Sequence, residues 1–129
     1  SGLVSRKKSG IVKDLEWRKT FVTKAKKHNK PIYPVYISGQ NSNRFYKIAK
    51  WRSLIGIKIN LEMFFLVDEM FKQKGNTIEI TMGKLIEPKI LDNKKNDSEW
   101  AQSIRNYVYK IQNNINFEFM ESIKNEKNY

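Results

Sequence analysis

Only two stretches of this chain carry a β-strand signature, and residues 39–76 separate them. Residues 32–38 (IYPVYIS) are rich in β-branched and aromatic side chains. Residues 77–82 (TIEITM) alternate, with Ile78, Ile80 and Met82 on one side and Thr77, Glu79 and Thr81 on the other. Pro34 removes a ladder donor and marks the first as an edge or an irregular strand start. Two short strands make a poor sheet by themselves. The chain therefore reads as α/β, and as part of a sheet whose other strands lie elsewhere.

The intervening and flanking segments carry helical spacing. Over residues 14–29, Leu15, Phe21, Val22 and Ala25 share a side with Trp17 at its edge. Asp14 is the expected N-cap, and Asn29 and Pro31 end the helix. Residues 43–55, capped by Asn41 or Ser42, place Phe45, Ile48, Ala49 and Leu54 inside. Arg44, Lys47, Lys50 and Arg52 lie outside, with Tyr46 and Trp51 at the margin. A basic helix edged by Trp and Tyr has the composition of a membrane-surface element. Residues 60–73 form a third helix, or helix plus turn, ended by Gly75. A fourth runs over residues 98–112, with Asp97 or Ser98 as cap and Trp100, Ala101, Ile104, Tyr107, Val108 and Ile111 buried. Residues 1–12 read as a basic Gly/Ser-bearing loop able to wrap an anion. Residues 1–112 make one domain, and residues 113–129 a polar C-terminal helix or tail.

Charge narrows the function classes. Residues 1–58 hold fifteen Lys and Arg against Asp14 and Glu16 alone, whereas the remainder is near balance. The first half is thus an electrostatic face for an anion. The chain has no cysteine and one histidine, His28, which excludes thiol catalysis, disulfides and Cys-based metal sites. No metal ligand set is expected. The longest apolar run, residues 63–67, is far shorter than the ~20 residues a spanning helix needs. The chain starts with Ser-Gly, as a piece of a longer protein would.

Ser1-Gly2-Leu3-Val4-Ser5-Arg6 resembles the end of the third sequence block of the glycerolipid acyltransferases, the lysophosphatidic acid acyltransferases and their hemolysin-like bacterial relatives. Ile32-Tyr33-Pro34-Val35-Tyr36-Ile37 looks like the fourth block, a hydrophobic run around a proline. Thr77 to Ile86, with Gly83-Lys84 followed by Leu85 where the family has proline, looks like the closing strand. The resemblance covers roughly residues 1–112. It implies a partial acyltransferase-type αβ domain of few short strands packed with amphipathic helices. It also implies an acceptor-binding set of Gly2, Ser5, Arg6, Lys7 and Pro34. Val4 stands where the block carries its Arg, and Arg6 supplies the guanidinium two positions later.

The family's base, His-x-x-x-x-Asp, orients an imidazole that deprotonates the acceptor hydroxyl. Five residues beyond His28 stands Tyr33, so His28 is not that histidine and no catalytic residue is assigned. The resemblance thus implies the acceptor-binding C-terminal half of an O-acyltransferase, inactive alone. The whole enzyme would move a fatty acyl group from acyl carrier protein or CoA to a lysophospholipid-like hydroxyl. No cofactor is expected beyond that thioester co-substrate. Expected partners are anionic membrane lipid, the lysophospholipid acceptor and acyl carrier protein. The expected place is peripheral, at the cytoplasmic face of a bacterial membrane. Two other readings of the same charge stand beside this one. They are a nucleic-acid-binding module using Tyr33, Tyr36, Tyr46 and Trp51 to stack bases, and an anionic-lipid-binding module without chemistry. No RNA-recognition, KH or helix-turn-helix signature supports a nucleic-acid partner.

Overall fold

The amphipathic pattern expected over residues 98–112 becomes the longest helix among the described residues, Asp97–Ile111. The computed structural model describes residues 5–8, 10–39, 41–56 and 64–126. Gly2, and residues 60–63 that would open the third helix, lie outside these. In chain order the elements are β1 (Arg6–Lys8), β2 (Ile11–Lys13), α1 (Thr20–His28), β3 (Val35–Ile37), α2 (Asn43–Ile55), α3 (Leu66–Lys72), β4 (Ile80–Met82), a 3-10 turn (Pro88–Ile90), α4 (Asp97–Ile111) and α5 (Phe119–Glu126). The chain is a mixed α/β fold with two separate two-stranded antiparallel sheets, β1–β2 and β3–β4. It divides into two units, Ser1–Leu15 with Ser38–Glu79, and Glu16–Ile37 with Ile80–Tyr129.

The second unit is built on α4. Trp100, Ala101, Ile104, Tyr107, Val108 and Ile111 recur at helical spacing and are all buried. Val22, Ile86, Leu91 and Phe119 complete the cluster around them. The helix starts at a capping box: the Asn96 side chain accepts from the Ser98 and Glu99 N–H groups, and the Glu99 carboxylate accepts from the Asn96 N–H. The cap is therefore Asn96, not Asp97 or Ser98. Asp97 is occupied elsewhere, accepting from the Thr23 hydroxyl at 2.6 Å and from Lys26 at 2.9 Å. The hydroxyl bond from Thr23, and then Lys26, hold its carboxyl below the ordinary range.

Two expected elements are shorter than the sequence suggests. The first helix begins at Thr20, not at Asp14, and carries no side-chain cap. Ahead of it the chain is tied to α4 instead: the Trp17 carbonyl accepts from the Gln102 side chain at 2.9 Å. Asn29, at φ +48°, ends the helix in the left-handed conformation asparagine tolerates. The strand expected over 32–38 is reduced to β3, with an isolated bridge from Ile32 to Ile86.

Strand β3 pairs with β4 in the register Val35↔Met82, Tyr36↔Thr81, Ile37↔Ile80. Tyr36 turns toward the core and meets Tyr109 edge-on. The apolar side of residues 77–82 is exposed at Ile78, Ile80 and Met82. Alternation fixes that a strand has two faces; it does not fix which one a helix covers. Just past β4, a Cβ at Gly83 would stand 3.0 Å from Ile111 Cδ1 and 3.1 Å from both Pro34 Cγ and the Tyr107 hydroxyl. Gly83→Ala should therefore cost about 1–3 kcal/mol by overpacking. A chemical-denaturation midpoint equal to the parent's would refute this.

In the first unit, α2 buries Phe45 and Ala49 as its spacing predicts, and Tyr46, expected at the margin, is buried with them. Leu54, expected inside, is exposed, because no described residue packs over the helix end that carries it. Its capping residue is Ser42, whose hydroxyl accepts from the Phe45 N–H at 3.3 Å. The long segment of this unit is closed at its base. The Ser38 N–H donates to the Glu79 carbonyl at 2.8 Å, and the Glu79 N–H to the Ser38 hydroxyl at 2.7 Å.

Candidate anion-binding site

Residues 6–13, expected as a loop, form a β-hairpin. Gly10, at φ +82°, reverses the chain in a conformation closed to most side chains. The register Arg6↔Lys13, Lys7↔Val12, Lys8↔Ile11 then decides where each cation points. Residues opposite each other share a face, and neighbours along a strand alternate. Arg6 and Lys13 stand across from each other on one face, while Lys7 lies on the other.

On the Lys7 face the hairpin is fastened to α2. The Lys7 ammonium donates to the Asn43 side-chain oxygen at 2.6 Å, and the Ser5 hydroxyl lies 3.2 Å from that of Tyr46. Ser5 and Lys7 thus hold the hairpin in place. The opposite face carries two cations of its own, Arg6 and Lys13. Arg6 is half-buried, and Lys13 is exposed directly across from it. Like charges opposed on an antiparallel pair repel. An anion seated between them removes that repulsion, and the planar guanidinium offers a carboxylate or phosphate two parallel donors.

The N-terminus of α2 is a competing place for an anion, but the chain fills it from within. Glu69 is 3% exposed. Its carboxylate accepts from the Ser42 N–H, and from the Ser42 hydroxyl at 2.7 Å and Lys72 at 2.8 Å. Burial pushes the Glu69 carboxyl up, but Lys72 and the two Ser42 donors outweigh it and hold the group below the ordinary range. The helix end is thereby neutralised by a carboxylate of the same unit.

Of the five residues expected from the sequence, the structure places three in the first unit and one in the second. Gly2 lies outside the described residues. Ser5 and Lys7 face α2, and Arg6 faces away from it. Pro34 belongs to the second unit, where it is buried; its carbonyl accepts the Gly83 N–H at 2.9 Å. Sequence reasoning missed Lys13 as the partner of Arg6. The Ser9-Gly10 dipeptide between Arg6-Lys7-Lys8 and Ile11-Val12-Lys13 was the available turn signal. His28 is exposed in the last turn of α1. Among the described residues, no three His, Cys, Asp or Glu converge to hold a metal ion.

A family model described as Acyltransferase matches residues 1–118. The chain is 40% identical over 111 residues to a lyso-glycine lipid O-acyltransferase of Bacteroides thetaiotaomicron, covering 86% of this chain and 41% of that protein. It is 41% identical over 111 residues to a protein of the same name from Phocaeicola vulgatus, covering 86% of this chain and 40% of that one. The chain thus spans about two fifths of the length of these curated relatives. No solved structure matches it.

Proposed function

Because this chain belongs to the acyltransferase family, we propose that it is the acceptor-binding part of an enzyme that O-acylates a lysolipid, with a lyso-glycine lipid as the favoured acceptor. The observation that carries the acceptor-binding role is the placement of Arg6 opposite Lys13 on the hairpin face turned away from α2. A lipid head made of N-acylated glycine presents one carboxylate, and a glycerophosphate head presents a phosphate. Either is a planar or tetrahedral anion that the Arg6 fork and the Lys13 charge suit.

In the proposed reaction the acceptor hydroxyl oxygen attacks the carbonyl carbon of an acyl thioester. A C–O bond forms, the C–S bond breaks, and the thiol of acyl carrier protein or CoA leaves. The hydroxyl proton must pass to a base. The single histidine of these residues is followed by tyrosine at the fifth position, so it lacks the carboxylate partner of the family's pair. We assign the base to a part of the parent protein outside these residues. Among the described residues no helix is long and apolar enough to cross a membrane, and we place the enzyme peripherally, at the inner face of a bacterial membrane.

The test compares the full-length parent with this 129-residue chain. Each is given acyl carrier protein or CoA thioester and either lyso-glycine lipid or lysophosphatidic acid. The parent is expected to form the doubly acylated product, faster with lyso-glycine lipid, and the isolated chain none. Turnover by the isolated chain would reject the placement of the base. An inert parent with every donor and acceptor pair would reject the function.

A further inference from the structure

We infer that the outward faces of α2 and α3 form a bilayer-docking surface that sinks apolar side chains among anionic lipid headgroups. This rests on the lysolipid reading, because such an acceptor resides in a membrane. The buried side of α2 is fixed by Phe45, Tyr46 and Ala49. The opposite side then carries, in order along the helix, Arg44, Lys47 and Lys50, followed by Trp51, Leu54 and Ile55. The apolar trio is left strongly uncovered, with Leu54 73% exposed.

Helix α3 belongs to the same unit and also leaves apolar side chains uncovered. Glu69 anchors its inner side to Ser42. Val67 and Phe71 fall on the side opposite Glu69, and both they and Phe64, just ahead of the helix, are more than half exposed. The carboxylate of Asp68 on this helix is ion-paired with Lys72 at 2.7 Å.

Charge decides among the occupants. An apolar stripe continued by Lys and Arg, with Trp among the first apolar residues, matches the layered polarity of a lipid interface. The cores of protein–protein interfaces are depleted in lysine. A second copy of the chain would bring Arg44, Lys47 and Lys50 against cations of like sign.

The experiment measures co-sedimentation of the chain with vesicles of phosphatidylglycerol and phosphatidylcholine, alongside its sedimentation velocity without lipid. Leu54→Glu with Phe71→Glu, at exposed positions, should weaken vesicle binding at least about tenfold at every salt concentration. Lys47→Glu with Lys50→Glu should weaken it by a similar factor at low salt and little at high salt. Brominated lipid should quench Trp51, seen as quenching that Trp51→Phe removes. Circular dichroism checks that the variants keep their helices, and Leu54→Ala with Phe71→Ala serves if the charged pair unfolds. Vesicle binding by the apolar variants within twofold of the parent chain would overturn the proposal. So would a lipid-free dimer abolished by those variants, or spin labels at positions 54 and 71 immobilised in the lipid-free full-length protein. Turnover of a short-chain acceptor dissolved as monomers by the full-length protein reports on the acyltransferase assignment by itself, whichever way the vesicles answer.

Discussion

In the full-length enzyme, Arg6→Ala should raise the KM for the lysolipid acceptor about 10- to 100-fold. A hydrogen bond to a charged group contributes about 1.5–3 kcal/mol, and each 1.4 kcal/mol is tenfold in binding. The effect should fall on the acceptor and spare the acyl donor, because the proposed function sets the acceptor head, and not the thioester, against Arg6. Arg6→Lys keeps the charge but loses the two-pronged geometry, so it should restore only part of the affinity. Lys13→Ala should cost less than Arg6→Ala, since Lys13 is exposed and contributes charge without a fork. The thermal midpoint should barely move, because the hairpin is fastened to α2 through Ser5 and Lys7 on its other face. An unchanged acceptor KM, or a lost cooperative unfolding transition, would reject the assignment.

Trp100→Ala should destabilise the protein by about 4 kcal/mol, a large part of the roughly 5–15 kcal/mol that holds a domain together. Trp100 is 3% exposed, in the first turns of α4. Its ring lies 6.2 Å from that of Phe119, its indole N–H donates to the Asp92 carbonyl at 2.9 Å, and the Lys95 ammonium stands 5.4 Å from its centre. Truncation removes all three and leaves a void in the only cluster that joins α1, α4 and α5 among the described residues. Trp100→Phe keeps most of the buried area and should cost much less. Urea denaturation read by circular dichroism measures both. A loss below 1 kcal/mol for the alanine variant would show that the cluster closes around the gap.

Helix α2 was legible in its extent and at Phe45 and Ala49, because the Ser42 hydroxyl and the apolar spacing that specify these are local. Leu54, which the same spacing put inside, is exposed, because spacing does not tell where the covering partner ends. The start of α1 was not legible, because the segment before it is held by a contact with Gln102, distant in sequence and adjacent in space. The cap of α4 was misplaced by one residue although its signal is local: Glu99 stands three residues after Asn96 and completes a capping box with it. The Asp97 carboxylate is engaged by Thr23 and Lys26. At the candidate site, the residue types were readable and their facing was not. Arg6 and Lys7 are neighbours in sequence with the same charge sign, yet the hairpin register sends one to a fastening and the other to the open face. The family blocks were readable because they are short runs of residue identity, which need no knowledge of pairing.

The closure between Ser38 and Glu79 makes the stretch between β3 and β4 a detachable excursion from a hairpin. Strand register on either side is set by β3–β4 pairing and is indifferent to how far the polypeptide travels before it returns. Lengthening such an excursion is cheap, since each doubling costs only about 0.6 kcal/mol in closure entropy. The β3–β4 register should therefore tolerate insertions between α2 and α3, provided Asn43 and Tyr46 still meet Lys7 and Ser5.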